Sequence, residues 1–270
     1  MICIITIVRY PKYLGFFGVL SMALFHFTLF FNKKISFYKL MGSGKNGTFD
    51  IHPDWRQWAI LTVTDKLEIQ NTKLDVRNTK LEIRNTKLEV QNTKLEVRST
   101  KFEVQSTKFE TQNEREIMFE INAINGNFIN RYFKFFNCTK KVLLLKPIST
   151  HGTWDGKEIF GKMPHNQNSF TGKIAVLTRA SIRLNNLKSF WQNVPLVANQ
   201  MEGANGLITS YGIGEVPFIK QATLSIWDNI DDMKNFAYKM KEHQTVIQKT
   251  RKENWYSEEM FTRFEVIYNS

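Results

Sequence analysis

Apolar and polar positions along this chain mark out short strands and longer helices in an order that occurs twice. Ile2 to Arg9 alternates and runs apolar as a strand does, and Leu14 to Phe31 reads as a helix. Strands are expected over Ile35 to Leu40 and, after a glycine turn, over Trp58 to Thr64. Phe128 to Phe136 then reads as a helix and Lys141 to Pro147 as a strand, which gives β-α-β-β-α-β. The same order returns as strand Ala175 to Arg183, helix Leu187 to Gln192 and beyond, strands Gly206 to Ile213 and Gln221 to Trp227, helix Asp231 to Lys252, and strand Phe261 to Tyr268.

This is an α+β pattern of two tandem halves. Residues 1–64 with 114–150 make the first, 65–113 an insertion, 151–172 a linker and 173–270 the second. The glycine turns correspond as well, Gly42-Ser43-Gly44 before one strand and Gly212-Ile213-Gly214 before its counterpart. Two such units, each with helices on one sheet face, can close their sheets into a barrel within one chain.

The insertion is a repeat. From Asn71 the chain cycles through NTKLDVR, NTKLEIR, NTKLEVQ, NTKLEVR, STKFEVQ and STKFETQ. A heptad invites a coiled coil, but the apolar positions fall at spacings of two and five where a seam needs three and four. On a helix Leu74 and Val76 would point about 200° apart. A solvated, low-complexity insertion without catalytic chemistry is the expectation, with an oligomerisation stalk as the alternative.

Composition narrows the picture further. The chain has 270 residues, 42% of them hydrophobic, enough for a packed core. Cys3 and Cys138 stand far apart, with no CxxC pairing, so a reducing, cytoplasmic compartment fits. The net charge is +12, and the repeat carries little of it. The rest is scattered in runs no longer than two, which disfavours nucleic acid and suits solubility or anionic lipid headgroups. Leu14 to Phe31 sits at the lower limit for a transmembrane helix, so a buried or membrane-surface helix and a true span both stand as readings.

The familiar catalytic signatures are missing: there is no P-loop, GxGxxG, GxSxG or HExxH. A different set of segments carries information. VRY at Val8 to Tyr10, FYKLMGSG at Phe37 to Gly44, TFDIHPDWRQWAIL at Thr48 to Leu61 and GTWDGKEIF at Gly152 to Phe160 come first. LTRASIR, FWQNVP, GIGEVP, QATLSIW and ENWYSEEMFTRFEV follow. In this order, along nearly the whole chain, they resemble the spheroidene monooxygenase family of carotenoid oxygenases. The chain departs from that pattern where the repeat replaces a short loop, and in a first helix rich in Phe.

The resemblance implies a ferredoxin-like, dimeric α+β barrel architecture. It also implies a heme-dependent monooxygenase that uses dioxygen and an external electron donor such as ferredoxin to oxidise an acyclic carotenoid. A cofactor-free oxygenase or binding module of the same fold, and an inactive relative whose repeat serves association, remain open. Heme iron needs an axial ligand. His243 is the favoured residue, because Met233, Phe236, Met240, His243 and Ile247 would share one helical face. A core histidine bonded to a carbonyl is the plain alternative. His151 as a loop residue and His26 on the apolar helix are runners-up, and His52 and His165 sit among loop formers. Arg179 falls in a strand that should be buried, so it needs an anion, either a heme propionate or a carboxylate such as Glu215. Glu215 is read as a proton donor toward bound dioxygen or as a turn cap. Trp191, Trp227, Trp255 and Phe264 are expected to line an apolar channel or simply to fill the core, with Trp227 and Trp255 nearest the cofactor.

Overall fold

In the computed structural model, residues 1–65, 114–163, 170–239 and 241–270 are described. The heptad repeat and His165 lie outside the described residues. The chain divides into two units, Met1–Lys66 with Phe128–Ser270, and the remainder. Of that remainder, residues 114–125 form a helix.

The first unit is a closed barrel of eight antiparallel strands. In chain order they are β1 (Ile2–Arg9), β2 (Phe37–Gly44), β3 (Pro53–Thr64), β4 (Thr139–Gly152), β5 (Ile174–Ile182), β6 (Leu207–Val216), β7 (Lys220–Trp227) and β8 (Tyr256–Asn269). Helices α1 (Gly15–Phe30), α2 (Asn127–Phe135), α3 (Leu187–Glu202), α4 (Ile230–Lys239) and α5 (Lys241–Glu253) lie between them. Around the barrel the strands run β1-β3-β2-β6-β7-β5-β8-β4. The first half contributes β4-β1-β3-β2 and the second β8-β5-β7-β6, so each half has the same order and the two close on each other.

The two seams differ. β4 and β8 pair from Leu143↔Asn269 to Gly152↔Met260, whereas β2 and β6 meet only at Gly42↔Gly214 and Ser43↔Ile213. The glycine segments expected to be turns are therefore strand ends that face each other. Glycine is needed there for close approach: a Cβ on Gly212 would fall 2.4 Å from both Phe49 Cα and the Thr48 carbonyl oxygen. Ser43 Oγ donates to the Gly212 carbonyl at 2.9 Å and stitches the short seam.

Both faces of the sheet are covered, which is why β1 (ICIITIVR) is nearly continuously apolar. Cys3, Ile5 and Ile7 enter the barrel interior with Leu61, Leu143, Leu177, Leu224 and Met260. Val8 faces outward and packs with Phe25 and Leu29 of α1 and Phe133 of α2. The stretch 151–172, expected to be a linker, supplies Trp154, Ile159 and Phe160 to the same interior. Its glycines and charges hide three large apolar residues that plug one end of the barrel. The single helix expected over Asp231 to Lys252 is the pair α4 and α5.

Among the described residues no helix is long and apolar enough to cross a membrane. The 16 residues of α1 span only about 24 Å. Both cysteines are free; Cys3 is buried in the barrel, and burial raises both thiols, that of Cys138 to about 11, so neither is poised as a nucleophile.

Candidate active site

Alternation along the strands places a layer of charge above the apolar interior at one barrel mouth. On β5, Ala175 and Leu177 point inward, and so does Arg179, only 1% exposed. The same parity carries Lys39 inward beyond Met41 on β2, Glu215 beyond Ile213 on β6, Lys220 beyond Ala222 on β7 and Glu258 beyond Met260 on β8. These strands are consecutive around the barrel, so the five side chains form an arc. Asp155 descends into it from the plug, on a backbone held at φ +52°.

The arc and Asp155 together hold three cations and three anions. Arg179 pairs with Glu258 through Nη1, and its Nη2 reaches Asp155 Oδ1 at 3.2 Å and Glu215 Oε1 at 3.5 Å. Lys39 bridges Asp155 and Glu215, and Lys220 Nζ meets Asp155 Oδ1 at 2.7 Å. Trp154 Nε1 donates to Glu215 Oε1 at 2.7 Å, and the Arg179 guanidinium lies 5.5 Å from the centre of the Trp154 ring. Glu258 also accepts from Thr153 Oγ1 at 2.8 Å and from the Gly156 amide at 2.7 Å.

Burial acts to raise the carboxyl of Asp155, but hydrogen bonds from Lys220 and Lys39 outweigh it and hold it at about 2. Glu258 is likewise pushed up by burial, yet the Gly156 amide, Arg179 and Thr153 bring it down to about 2. Burial would lower Lys39, and its bonds to Asp155 and Glu215 raise it instead. Both carboxyls are therefore ionised at neutral pH and serve to accept hydrogen bonds rather than to release protons. The network pins the plug to the barrel rim.

Of the expected site residues, Arg179 and Glu215 come together, and the anion beside Arg179 is a cluster of carboxylates. Trp227 and Trp255 do not join them. Trp227 packs on the outer sheet face against Met233 and Phe236 of α4, and Trp255 against Phe190 and Val194 of α3. Phe264 lies inside the barrel and Trp191 packs in the same cluster as Trp255, so the four aromatics expected along one channel fall into three compartments. The side chain of His243 lies outside the described residues. His26 is exposed on α1 and within 2.9 Å of the Tyr38 hydroxyl through Nδ1, not buried. His151 is no loop residue: it ends β4 opposite Phe261, with its side chain exposed. His52 pairs with Asp50 in an exposed loop.

Among the described residues no imidazole faces an apolar space, and the barrel interior is filled by Trp154, Phe160 and Phe264. The described residues thus do not by themselves fit a heme. They do form an open, mostly apolar groove of about 480 Å³ beside α3, lined by Ile51, Leu187, Trp191 and Phe218 with Lys188 and Gln192. Phe49 packs against the Trp191 ring at 5.7 Å, and Trp191 Nε1 donates to the Phe218 carbonyl at 3.1 Å. Asp155, Glu258, Lys39, Lys220 and Trp154 were not singled out in the sequence. Their signal was parity: each lies an even number of positions from an inward apolar residue, or inside the GTWDG turn.

Fold and site define an α+β barrel of two fused ferredoxin-like halves. A solved aldoxime dehydratase in complex with butyraldoxime has the same fold, with TM-score 0.50 and 5% identity, covering 98% of this chain and 79% of that one. No protein-family model matches the chain. The resemblance carried by the ordered segments holds, because the chain is similar to curated spheroidene monooxygenases. It is 28% identical to that of Cereibacter sphaeroides over 235 residues, 87% of this chain and 56% of the relative. For Rhodobacter capsulatus the figures are 27% over 234 residues, 87% and 76%. For Rubrivivax gelatinosus they are 37% over 153 residues, 55% and 57%. The chain thus spans a little over half the length of two of these relatives.

Proposed function

We propose that this chain is a monooxygenase that oxidises a carotenoid-like, lipophilic substrate with dioxygen and electrons from an external donor such as ferredoxin. The observation that carries the reading is the match to proteins named spheroidene monooxygenase across 87% of the chain. The open aromatic groove beside α3 goes with it, since it offers a hydrocarbon an apolar surface at the edge of the second half. A cytoplasmic location against the inner face of a membrane goes with such a substrate.

Heme is the cofactor this reading brings with it, and it would supply the activation of dioxygen. His243 is the residue proposed to hold it; Trp227 and Trp255, buried in two different clusters, serve that reading only as packing around the helices of the second half. Arg179 and Glu215, if they serve the reaction, do so from the barrel mouth, where each is already engaged by partners. Holding the plug and its charges in place is the role their geometry supports best.

A cofactor-free oxygenase or small-molecule binding module of the same fold is the second reading. The surface positions of His26, His52 and His151 favour it. An absorption spectrum of protein purified from heme-replete cells, before and after dithionite, separates the two. A Soret band that shifts on reduction and disappears in His243→Ala supports heme; a colourless, folded protein supports the second reading.

A further inference from the structure

Among the described residues, the outer face of α1 has no partner. Gly18, Ser21, Phe25 and Leu29 are buried, with Phe25 edge-on to Tyr132 and Phe133 of α2. A surface helix ordinarily puts charge on its other face. Here that face presents Phe16, Val19, Leu20, Leu24, Phe27 and Phe30, and the helix contains no charged residue. Phe16, Phe27, Phe30 and the following Phe31 are each at least 70% exposed. An apolar stripe this long on a surface marks a contact.

Charge at the two ends says what the contact is. At the N-terminal end a cleft of about 500 Å³ gathers Arg9, Lys12, Lys45 and Arg56 against a single acid, Asp54, with Tyr13 and Trp55 on its rim. At the other end stand Lys33 and Lys34, both exposed. Two copies of this face would bring basic ends together whether packed parallel or antiparallel, which opposes self-association. An anionic surface with an apolar layer beneath it satisfies both features. The helix spans about 24 Å, short of the roughly 30 Å hydrocarbon core, so it lies along the surface.

We propose that α1 docks flat on a membrane rich in anionic phospholipid. Its phenylalanines enter the acyl boundary, Tyr13 and Trp55 sit at headgroup level, and the basic cleft and Lys33-Lys34 engage headgroup phosphates. This deepens the location given above but needs no catalytic activity, so it can fail while the oxygenase reading stands, and the reverse.

Flotation of the full chain with vesicles of phosphatidylcholine and phosphatidylglycerol tests it. Binding is expected, weaker by about tenfold on phosphatidylcholine alone and in high salt. Phe27→Ser with Phe30→Ser, and separately Lys33→Glu with Lys34→Glu, should each weaken it by about tenfold while leaving the circular dichroism unchanged. No binding to phosphatidylglycerol vesicles overturns the proposal. So does binding that ignores the phenylalanine pair, or a wild-type dimer that the same pair of changes converts to monomer.

Discussion

Trp154 Nε1 donates to Glu215 Oε1 across 2.7 Å, and this bond ties the plug to the sixth strand of the barrel. The indole itself is fully buried, edge-on to Phe37 and beneath the Arg179 guanidinium. One residue thus joins the apolar interior to the charged rim. Trp154→Phe keeps an aromatic ring in place but loses part of its volume and the donor, so it should lower stability by about 1–3 kcal/mol in urea denaturation, since Glu215 retains Lys39 and Arg179. Trp154→Ala, which empties the barrel end, should cost about 3–5 kcal/mol.

Arg179 is the cation that Glu258, Asp155 and Glu215 share. Arg179→Met leaves those acids without it in a half-buried setting and should destabilise by about 3–5 kcal/mol. Arg179→Lys should recover little of this, since one ammonium cannot reach three carboxylates with fixed geometry. Denaturant midpoints of the three proteins check it.

The rim also sets an acid limit. Asp155 and Glu258 are held at about 2 in the fold against ordinary values of 3.8 and 4.5. Groups lowered by folding bind protons more weakly than in the unfolded chain, so their contribution is complete above pH 4.5 and is lost as pH falls toward 2. Stability measured at fixed urea should decline through that window, and Glu258→Gln should flatten the decline.

How much of this was legible in the sequence depends on the kind of signal. ICIITIVR and KVLLLKP announce buried strands because covered sheets need apolar residues on both faces, and the duplicated element order follows from them. The pairing of Arg179 was legible for a related reason: a guanidinium in an apolar strand demands an anion. Lys39, Lys220 and Glu258 were not, because a charge at a strand end looks solvated until the barrel closes and turns those ends into an arc. Residues 151–172 misled through their glycines and charges, which mask Trp154, Ile159 and Phe160. Glycine-rich strand ends read as turns in a sequence because glycine serves close backbone approach as well as bends.

Gly212 tests the packing that supports Trp191 in the aromatic groove. A methyl group there would strike Phe49 and Thr48 backbone atoms, not a flexible side chain that can yield. Gly212→Ala should therefore displace Phe49 from Trp191, cost about 1–3 kcal/mol, and weaken binding of a hydrophobic ligand in fluorescence titration of the tryptophans.

The central claim is oxidation of a lipophilic substrate by dioxygen. Incubation of the purified chain with an acyclic carotenoid, a reduced ferredoxin system and isotopically labelled dioxygen, followed by mass spectrometry, addresses it most directly. The account predicts a carotenoid carrying labelled oxygen, formed only when reductant is present. Carotenoid recovered unchanged from a folded, reductant-supplied and heme-replete preparation would contradict it.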